Sequence, residues 1–319
     1  MIPITIDVAI TSYRRPELAV AAVQSCLRQG PVLDRVIVVD DASGDDTAAR
    51  LSELDDRRVL LHVRPGNGGI GAARRDALAR SSADWTVMLD SDHELLPGAL
   101  ETLARAAARA PAQVGILGAR FRWDTGAVTP EHVPEAPVDY ATRIRLSAQP
   151  GGIGTDYLCC ISRRVREQAT WSAERSGLVD VLFQLDAALV ADAQFLRDCL
   201  AYQRSDAPEG YSRGTVEHLL ASRRRDAEGG VAVCKLLLER HGEALEAWGR
   251  PNLAQILREG AIFASLVGRR YLATRWAMGA VLAGGFRQVT PGLVPACFVG
   301  RGVFESAYRK RLIRGGASP

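Results

Sequence analysis

The chain contains six cysteines, Cys26, Cys159, Cys160, Cys199, Cys234 and Cys297, yet no C-x-x-C pair and no Cys/His spacing suited to zinc. Most of these thiols sit inside apolar runs, where a thiol behaves as a small hydrophobe. The first residues show no basic leader followed by an apolar segment. A reducing, cytoplasmic setting is therefore expected. The longest uncharged stretches near the C-terminal end, 276–286 and 288–300, are too short to cross a bilayer, and Pro291 and Pro295 interrupt the second. Internal repeats and low-complexity blocks are absent, which excludes solenoid and fibrous architectures. Lysine is nearly absent as well, with Lys235 and Lys310 the only two, so arginine is the default cation.

What remains is the composition of an ordinary globular protein, 47% hydrophobic and 24% charged over 319 residues, enough for one large or two modest domains. The net charge of +3 is unevenly distributed. From Ala261 onward nine cations (Arg269, Arg270, Arg275, Arg287, Arg301, Arg309, Lys310, Arg311 and Arg314) face one acid, Glu305, so this tail carries +8 and the preceding residues −5. A basic tail on an acidic body suits a membrane surface or an acidic neighbouring subunit, and equally a solvated helical face. No nucleic-acid partner is expected.

Up to about residue 110 strand and helix patterns alternate, the mark of an α/β sheet with parallel strands and right-handed crossovers. Strands are expected at 4–11, 35–39, 59–63 and 85–89, and helices at 17–29, 45–54, 71–80 and 97–110, with Pro97 in the first turn of the last. A strand at 114–121 opens the next part. An irregular Pro- and Gly-rich loop is expected at 123–154, then a strand at 157–162 and a helical run at 178–200. The remainder, from about Thr215, reads as helices broken at Gly229-Gly230, Pro251 and 284–295. The expected divisions are an α/β half at 1–110, a second half at 111–214 and a helical C-terminal extension at 215–319.

Chemistry gathers where strands end. Asp90-Ser91-Asp92 follows a buried strand, at the end where open α/β sheets bind ligands. Two carboxylates one residue apart can share a hard divalent cation that in turn holds a diphosphate. Thr11-Ser12-Tyr13-Arg14-Arg15 ends the first strand with hydroxyls, an aromatic face and cations, a set suited to a nucleotide or to simple turn chemistry. After the second strand, Asp40 or Asp41 can accept hydrogen bonds from a base or ribose, while residues 43–47 supply a turn and helix cap. Gly66-Asn67-Gly68-Gly69-Ile70-Gly71 matches a dinucleotide-binding pattern. It nevertheless lies in the third unit of the sheet, behind Pro65, and leaves Asp92 without a task.

Taken together, Thr11-Ser12-Tyr13-x-Arg15, Val39-Asp40-Asp41-Ala42-Ser43-x-Asp45-x-Thr47, Asn67-x-Gly69-Ile70-x-x-Ala73-Arg74 and Asp90-Ser91-Asp92 resemble the family 2 glycosyltransferases. The likeness runs over about 4–205. It implies a GT-A fold, an open mixed sheet with flanking helices, here carrying a helical C-terminal extension. It also implies a nucleotide-diphosphate sugar donor. By that likeness Thr11, Tyr13 and Asp41 hold base and ribose, Arg74 lies near the diphosphate, and Asp90 with Asp92 meets Mg²⁺ or Mn²⁺. Arg15, Asp40, Asn67 and Ser91 complete the candidate donor site.

The family's general base is usually an Asp in an acidic pair opening a helix, and Asp180 stands there, with Val179 in place of the common Glu. Three features depart from the family pattern. Arg75 replaces a common Asn, segment 202–206 lacks the metal-binding His of many relatives, and the Gln-x-x-Arg-Trp signature of polymerising members is missing. The third metal ligand stays open, with His93 the one histidine beside the acidic pair. Transfer of one sugar with inversion is the expected reaction, to a glycan, a lipid-linked sugar or a natural product. A sugar-phosphate nucleotidyltransferase and a non-catalytic sugar-nucleotide-binding subunit are the rival readings.

Overall fold

The computed structural model describes residues 4–149, 152–204, 215–284, 304–306 and 308–309. In chain order the elements are β1 (Ile6–Ser12), α1 (Pro16–Leu27), β2 (Leu33–Asp40), α2 (Thr47–Ser52), β3 (Val59–Val63), α3 (Ile70–Leu78), β4 (Trp85–Asp90), β5 (His93–Leu95), α4 (Ala99–Arg109), β6 (Val114–Trp123), β7 (Val128–Thr129), α5 (Tyr140–Ser147), β8 (Leu158–Ser162), α6 (Arg163–Gln168), α7 (Val179–Val190), β9 (Asp192–Gln203), α8 (Val216–Arg225), α9 (Ala227–Trp248), α10 (Arg250–Leu266) and α11 (Arg270–Gly284). They form two compact units. One comprises Met1–Ala173 with Phe183–Ala207, the other Glu174–Leu182 with Pro208–Pro319.

The first unit is built on a single mixed sheet in the order β3-β2-β1-β4-β8-β6-β9-β5, with β7 added to β6. The four strands β3, β2, β1 and β4 run parallel. Near-continuous apolar runs such as Val36-Ile37-Val38-Val39 are what a parallel sheet covered on both faces requires, and these four residues are fully buried. β8 lies antiparallel between β4 and β6, which makes the sheet mixed. The core brings Ile6, Val8 and Ile10 of β1 together with Val87 and Leu89 of β4, Leu100 and Leu103 of α4, and Leu117 of β6.

The structure corrects three expectations from the sequence. The helical run expected at 178–200 ends at Val190, and 192–203 is strand β9, parallel to β6 and antiparallel to β5. Its buried residues Ala193 and Phe195 alternate with partly exposed ones. That two-residue period is masked by an apolar helix directly upstream. The loop expected at 123–154 contains α5, whose N-cap Asp139 accepts a hydrogen bond from Thr142 N at 2.8 Å. Helix α4 begins at Ala99, so Pro97 precedes it; Gly98, at φ 76°, takes a left-handed conformation open to glycine at little cost.

In the second unit α9, α10 and α11 pack where glycines let the helices approach. A Cβ on Gly230 would meet the Phe263 ring at 2.5 Å, and one on Gly260 would meet Trp276 at 2.6 Å. Arg223 bonds Glu259 at 2.5 Å and lies over the Phe263 ring, so this charge is paired where it leaves solvent. None of the helices in the described residues is long and apolar enough to cross a membrane.

Candidate active site

Parallel registration places the chemistry. Thr11 of β1 lies beside Asp90 of β4, and Ser12 lies beside Asp40 of β2. Three adjacent strands thus end together, and their loops carry Thr11 to Arg15, Asp40 to Ser43, and Asp90 to His93. The first two loops are tied to each other. Ser43 donates to the Asp40 carboxylate through its hydroxyl and its backbone N–H, while Arg14 N donates to Ser43 Oγ at 2.8 Å. Arg14 and Ala42 both adopt positive φ, 53° and 57°. Such strain in non-glycine residues persists where surrounding bonds over-determine the backbone, and it concentrates at functional sites. Tyr13 is left 40% exposed, with the Arg14 guanidinium 5.2 Å from its ring centroid. The buried hydroxyl of Ser12 has no hydrogen-bond partner. Sequence reasoning had not singled it out as a donor contact.

Asp41 has a different environment from its neighbour. Its carboxylate accepts Gly68 N at 2.9 Å, Gly69 N at 2.7 Å and Arg64 Nη1 at 2.5 Å, and Arg64 reaches on to Asp76 at 2.7 Å. The glycines of the dinucleotide-like pattern therefore turn their amides onto a protein carboxylate. Gly69 adopts φ 84° to do so and caps α3. Asn67, in the same turn, is half-buried.

At the end of β4 each carboxylate has its own guanidinium. Arg74 of α3 donates to Asp90 at 2.6 Å, and Arg15 lies 3.5 Å from Asp92. Burial raises the Asp90 pKa, but Arg74, His93 and Arg15 outweigh it and hold the carboxyl below its ordinary value. The Arg74 guanidinium also sits 4.7 Å from the Trp171 ring centroid, and Trp171 stacks on Phe183 at 4.3 Å. Arg75, the departure from the family pattern, is exposed to solvent.

His93 lies beside the two acids and is a candidate for the third ligand that the sequence left open. Its Nδ1 lies 3.8 Å from an Asp92 oxygen and 4.0 Å from an Asp90 oxygen, and one ligand atom from each of the three residues falls within 4.8 Å of the others. The ring is held by Phe121 of β6, 5.0 Å away, and by strand pairing of His93 with Gln203 of β9. Its buried Nε2 has no partner. Two carboxylates and an imidazole form a donor set that fits a divalent ion such as Mn²⁺, and the carboxylates alone fit Mg²⁺. The residues present therefore suit the group that the Asp-x-Asp implies. The signal in the sequence was adjacency alone: His93 follows Asp92 directly.

Thr11, Tyr13, Arg15, Asp40, Asp41, Asn67, Arg74, Asp90, Ser91 and Asp92 all belong to the first unit. Asp180 lies half-buried in the first turn of α7, on the stretch 174–182 that belongs to the second unit. An acid is favoured there by the helix dipole alone.

A mixed sheet with a carboxylate pair, an imidazole and two guanidinium groups at its strand ends is the arrangement this α/β protein presents. Residues 7–168 match the model of glycosyl transferase family 2, and the chain belongs to that family. Among curated relatives it is 34% identical over 107 residues to the succinoglycan biosynthesis protein ExoO of Rhizobium meliloti (strain 1021), covering 34% of this chain and 31% of that protein. It is 31% identical over 105 residues to the GalNAc(5)-diNAcBac-PP-undecaprenol beta-1,3-glucosyltransferase of Campylobacter jejuni, covering 32% and 34%. The matches thus span about a third of these relatives' length. The fold resembles residues 1–349 of S. aureus TarS, with TM-score 0.55 and 18% identity over 98% of this chain and 92% of that one. It also resembles the mannosyltransferase PcManGT of Pyrobaculum calidifontis, solved with GDP-Man and Mn²⁺, with TM-score 0.54 and 19% identity over 98% and 88%.

Proposed function

We propose that this chain moves one sugar from a nucleotide-diphosphate sugar to an acceptor hydroxyl, with inversion and with the help of a divalent metal. The observation that carries the reading is the Asp90, Asp92 and His93 cluster at the end of β4, flanked by Arg15 and Arg74. These three residues would hold Mn²⁺ or Mg²⁺, whose chemistry is to neutralise charge on the departing nucleoside diphosphate.

The protein's own groups do the rest. Tyr13 offers an exposed ring on which a base can stack, and Thr11, Asp40 and Asp41, at the ends of the adjoining strands, offer a hydroxyl and carboxylates for base and ribose. Asn67, in the glycine turn, and Ser91, between the two acids, offer further polar contacts along the donor. Arg15 and Arg74 present planar forks that match diphosphate oxygens. Asp180 takes the proton of the acceptor hydroxyl as that oxygen attacks the anomeric carbon, general-base work that typically supplies about a hundredfold or more. One displacement inverts the anomeric centre.

The Campylobacter relative's acceptor is named as a diphosphoundecaprenol-linked glycan, and a lipid-linked sugar is accordingly the acceptor class we propose. Such an acceptor places the enzyme at the cytoplasmic face of the inner membrane. Incubation of the protein with a panel of nucleotide sugars, following release of nucleoside diphosphate with Mn²⁺ or with EDTA, tests the reading. Turnover with one donor, lost in EDTA and in Asp92→Ala, is the expected result. Undiminished turnover of Asp92→Ala, or in excess EDTA, refutes the metal role, and absence of any turnover or nucleotide binding refutes the enzyme.

A further inference from the structure

Helix α11 is apolar on two sides. Its inward face buries Ala273, Trp276, Ala277 and Ala280. Its other face leaves Tyr271, Met278 and Leu282 exposed at 83%, 55% and 76%. At 3.6 residues per turn these three fall with Arg275 inside an arc of about 60°. Single exposed apolar residues are unremarkable, but a row along a helix of roughly 22 Å marks a contact surface.

Charge selects the occupant. Between Glu259 and Glu305 the sequence contains no acidic residue. Arg270 flanks the row and Arg275 stands in it, both exposed. Arg269, by contrast, is engaged with Glu228 at 2.8 Å. A second copy packed face to face would press Arg275 onto a stripe that offers it no carboxylate, and desolvating an unpaired guanidinium is costly. The chain's residues from 285 onward carry six cations against one acid and are no better a counterpart. A bilayer of anionic lipid answers both features: acyl chains take up the apolar row, and phosphates meet guanidinium groups that extend from it to the headgroups.

We propose that the face of α11 bearing Tyr271, Arg275, Met278 and Leu282 docks on an anionic lipid surface, with the helix lying in the plane of the interface. The inference stands on the helical unit alone, so its failure and the failure of the sugar-transfer reading are separable.

The test is co-sedimentation of the full chain with vesicles of phosphatidylcholine alone or mixed with phosphatidylglycerol, at low and high salt. The wild type is expected to pellet with the anionic vesicles at low salt and to be released by salt or by neutral lipid. Replacing Tyr271, Met278 and Leu282 together by serine is expected to lower binding at least about tenfold. Arg270→Gln with Arg275→Gln is expected to lower it about 25-fold, roughly fivefold for each cation. Unfolding temperature and donor turnover in solution should stay unchanged, which shows that the variants fold. Equal recovery in the supernatant with both vesicle types at low salt overturns the proposal. Anionic binding that survives the serine variant overturns the assignment to α11. Self-association abolished by the serine variant, without vesicle binding, makes the face a contact between copies instead.

Discussion

Replacing Asp41 by Asn separates the ligand role that the family resemblance implies for this carboxylate from the structural role that its hydrogen bonds give it. All three groups facing Asp41 are donors: Gly68 N, Gly69 N and Arg64 Nη1. A carboxylate accepts them all, whereas an amide has one accepting end and one donating end. In the better flip of the Asn the oxygen keeps Gly68 N and Arg64, and the NH₂ faces the Gly69 N–H, leaving two donors opposed. Asp41 is 4% exposed, so water does not repair the loss. A charge-assisted bond contributes about 1.5–3 kcal/mol and an orphaned buried donor costs about 1–3 kcal/mol. Arg64 retains Asp76 at 2.7 Å, so the full penalty of about 3–5 kcal/mol for breaking a buried pair is not reached. The expected destabilisation is about 2–4 kcal/mol, which lowers the unfolding temperature by roughly 5–15 °C. Thermal unfolding and isothermal titration with nucleoside diphosphates measure the two roles side by side. If the melting temperature falls by less than about 2 °C while nucleotide affinity collapses, Asp41 is a ligand contact and the reasoning from its three donors fails.

His93→Ala is expected to weaken Mn²⁺ binding at least tenfold while leaving metal-free nucleotide binding in place, on the scale of losing one ligand or its support; titration followed by Mn²⁺ paramagnetic resonance reads it, and unchanged affinity removes His93 from the site. Asp180→Asn is expected to lower turnover by about a hundredfold or more with donor affinity nearly unchanged, and a parallel collapse of donor binding would make Asp180 structural. A Cβ on Gly118 would stand 2.4 Å from the Phe195 ring and 3.0 Å from Tyr157. Gly118→Ala should therefore cost about 1–3 kcal/mol by overpacking, seen as a lower urea midpoint, and a wild-type midpoint would show that the β6–β9 seam can yield.

The parallel half of the sheet was legible because its signals are local. Apolar strand runs, glycine and aspartate turns, and the acids after Leu89 all lie within a few residues of the structure they specify, and strands β1 to β4 appear within a residue or two of expectation. The fold family was legible for the same reason, since its four motifs are short and ordered along the chain.

What tertiary structure decided depends on partners distant in sequence. β9 is a strand because β6 and β5 offer it ladders on both sides; its composition alone continued the helix before it. His93 joins Asp90 and Asp92 because Phe121 and Gln203, remote in sequence, hold its ring and backbone. The two guanidinium groups find their acids across 16 residues for Arg74 and Asp90, and between separate strand ends for Arg15 and Asp92. The sequence determined which side chains the site contains. Pairing across the sheet determined which of them meet, because contact energies between distant residues act only after the chain has closed the loops between them.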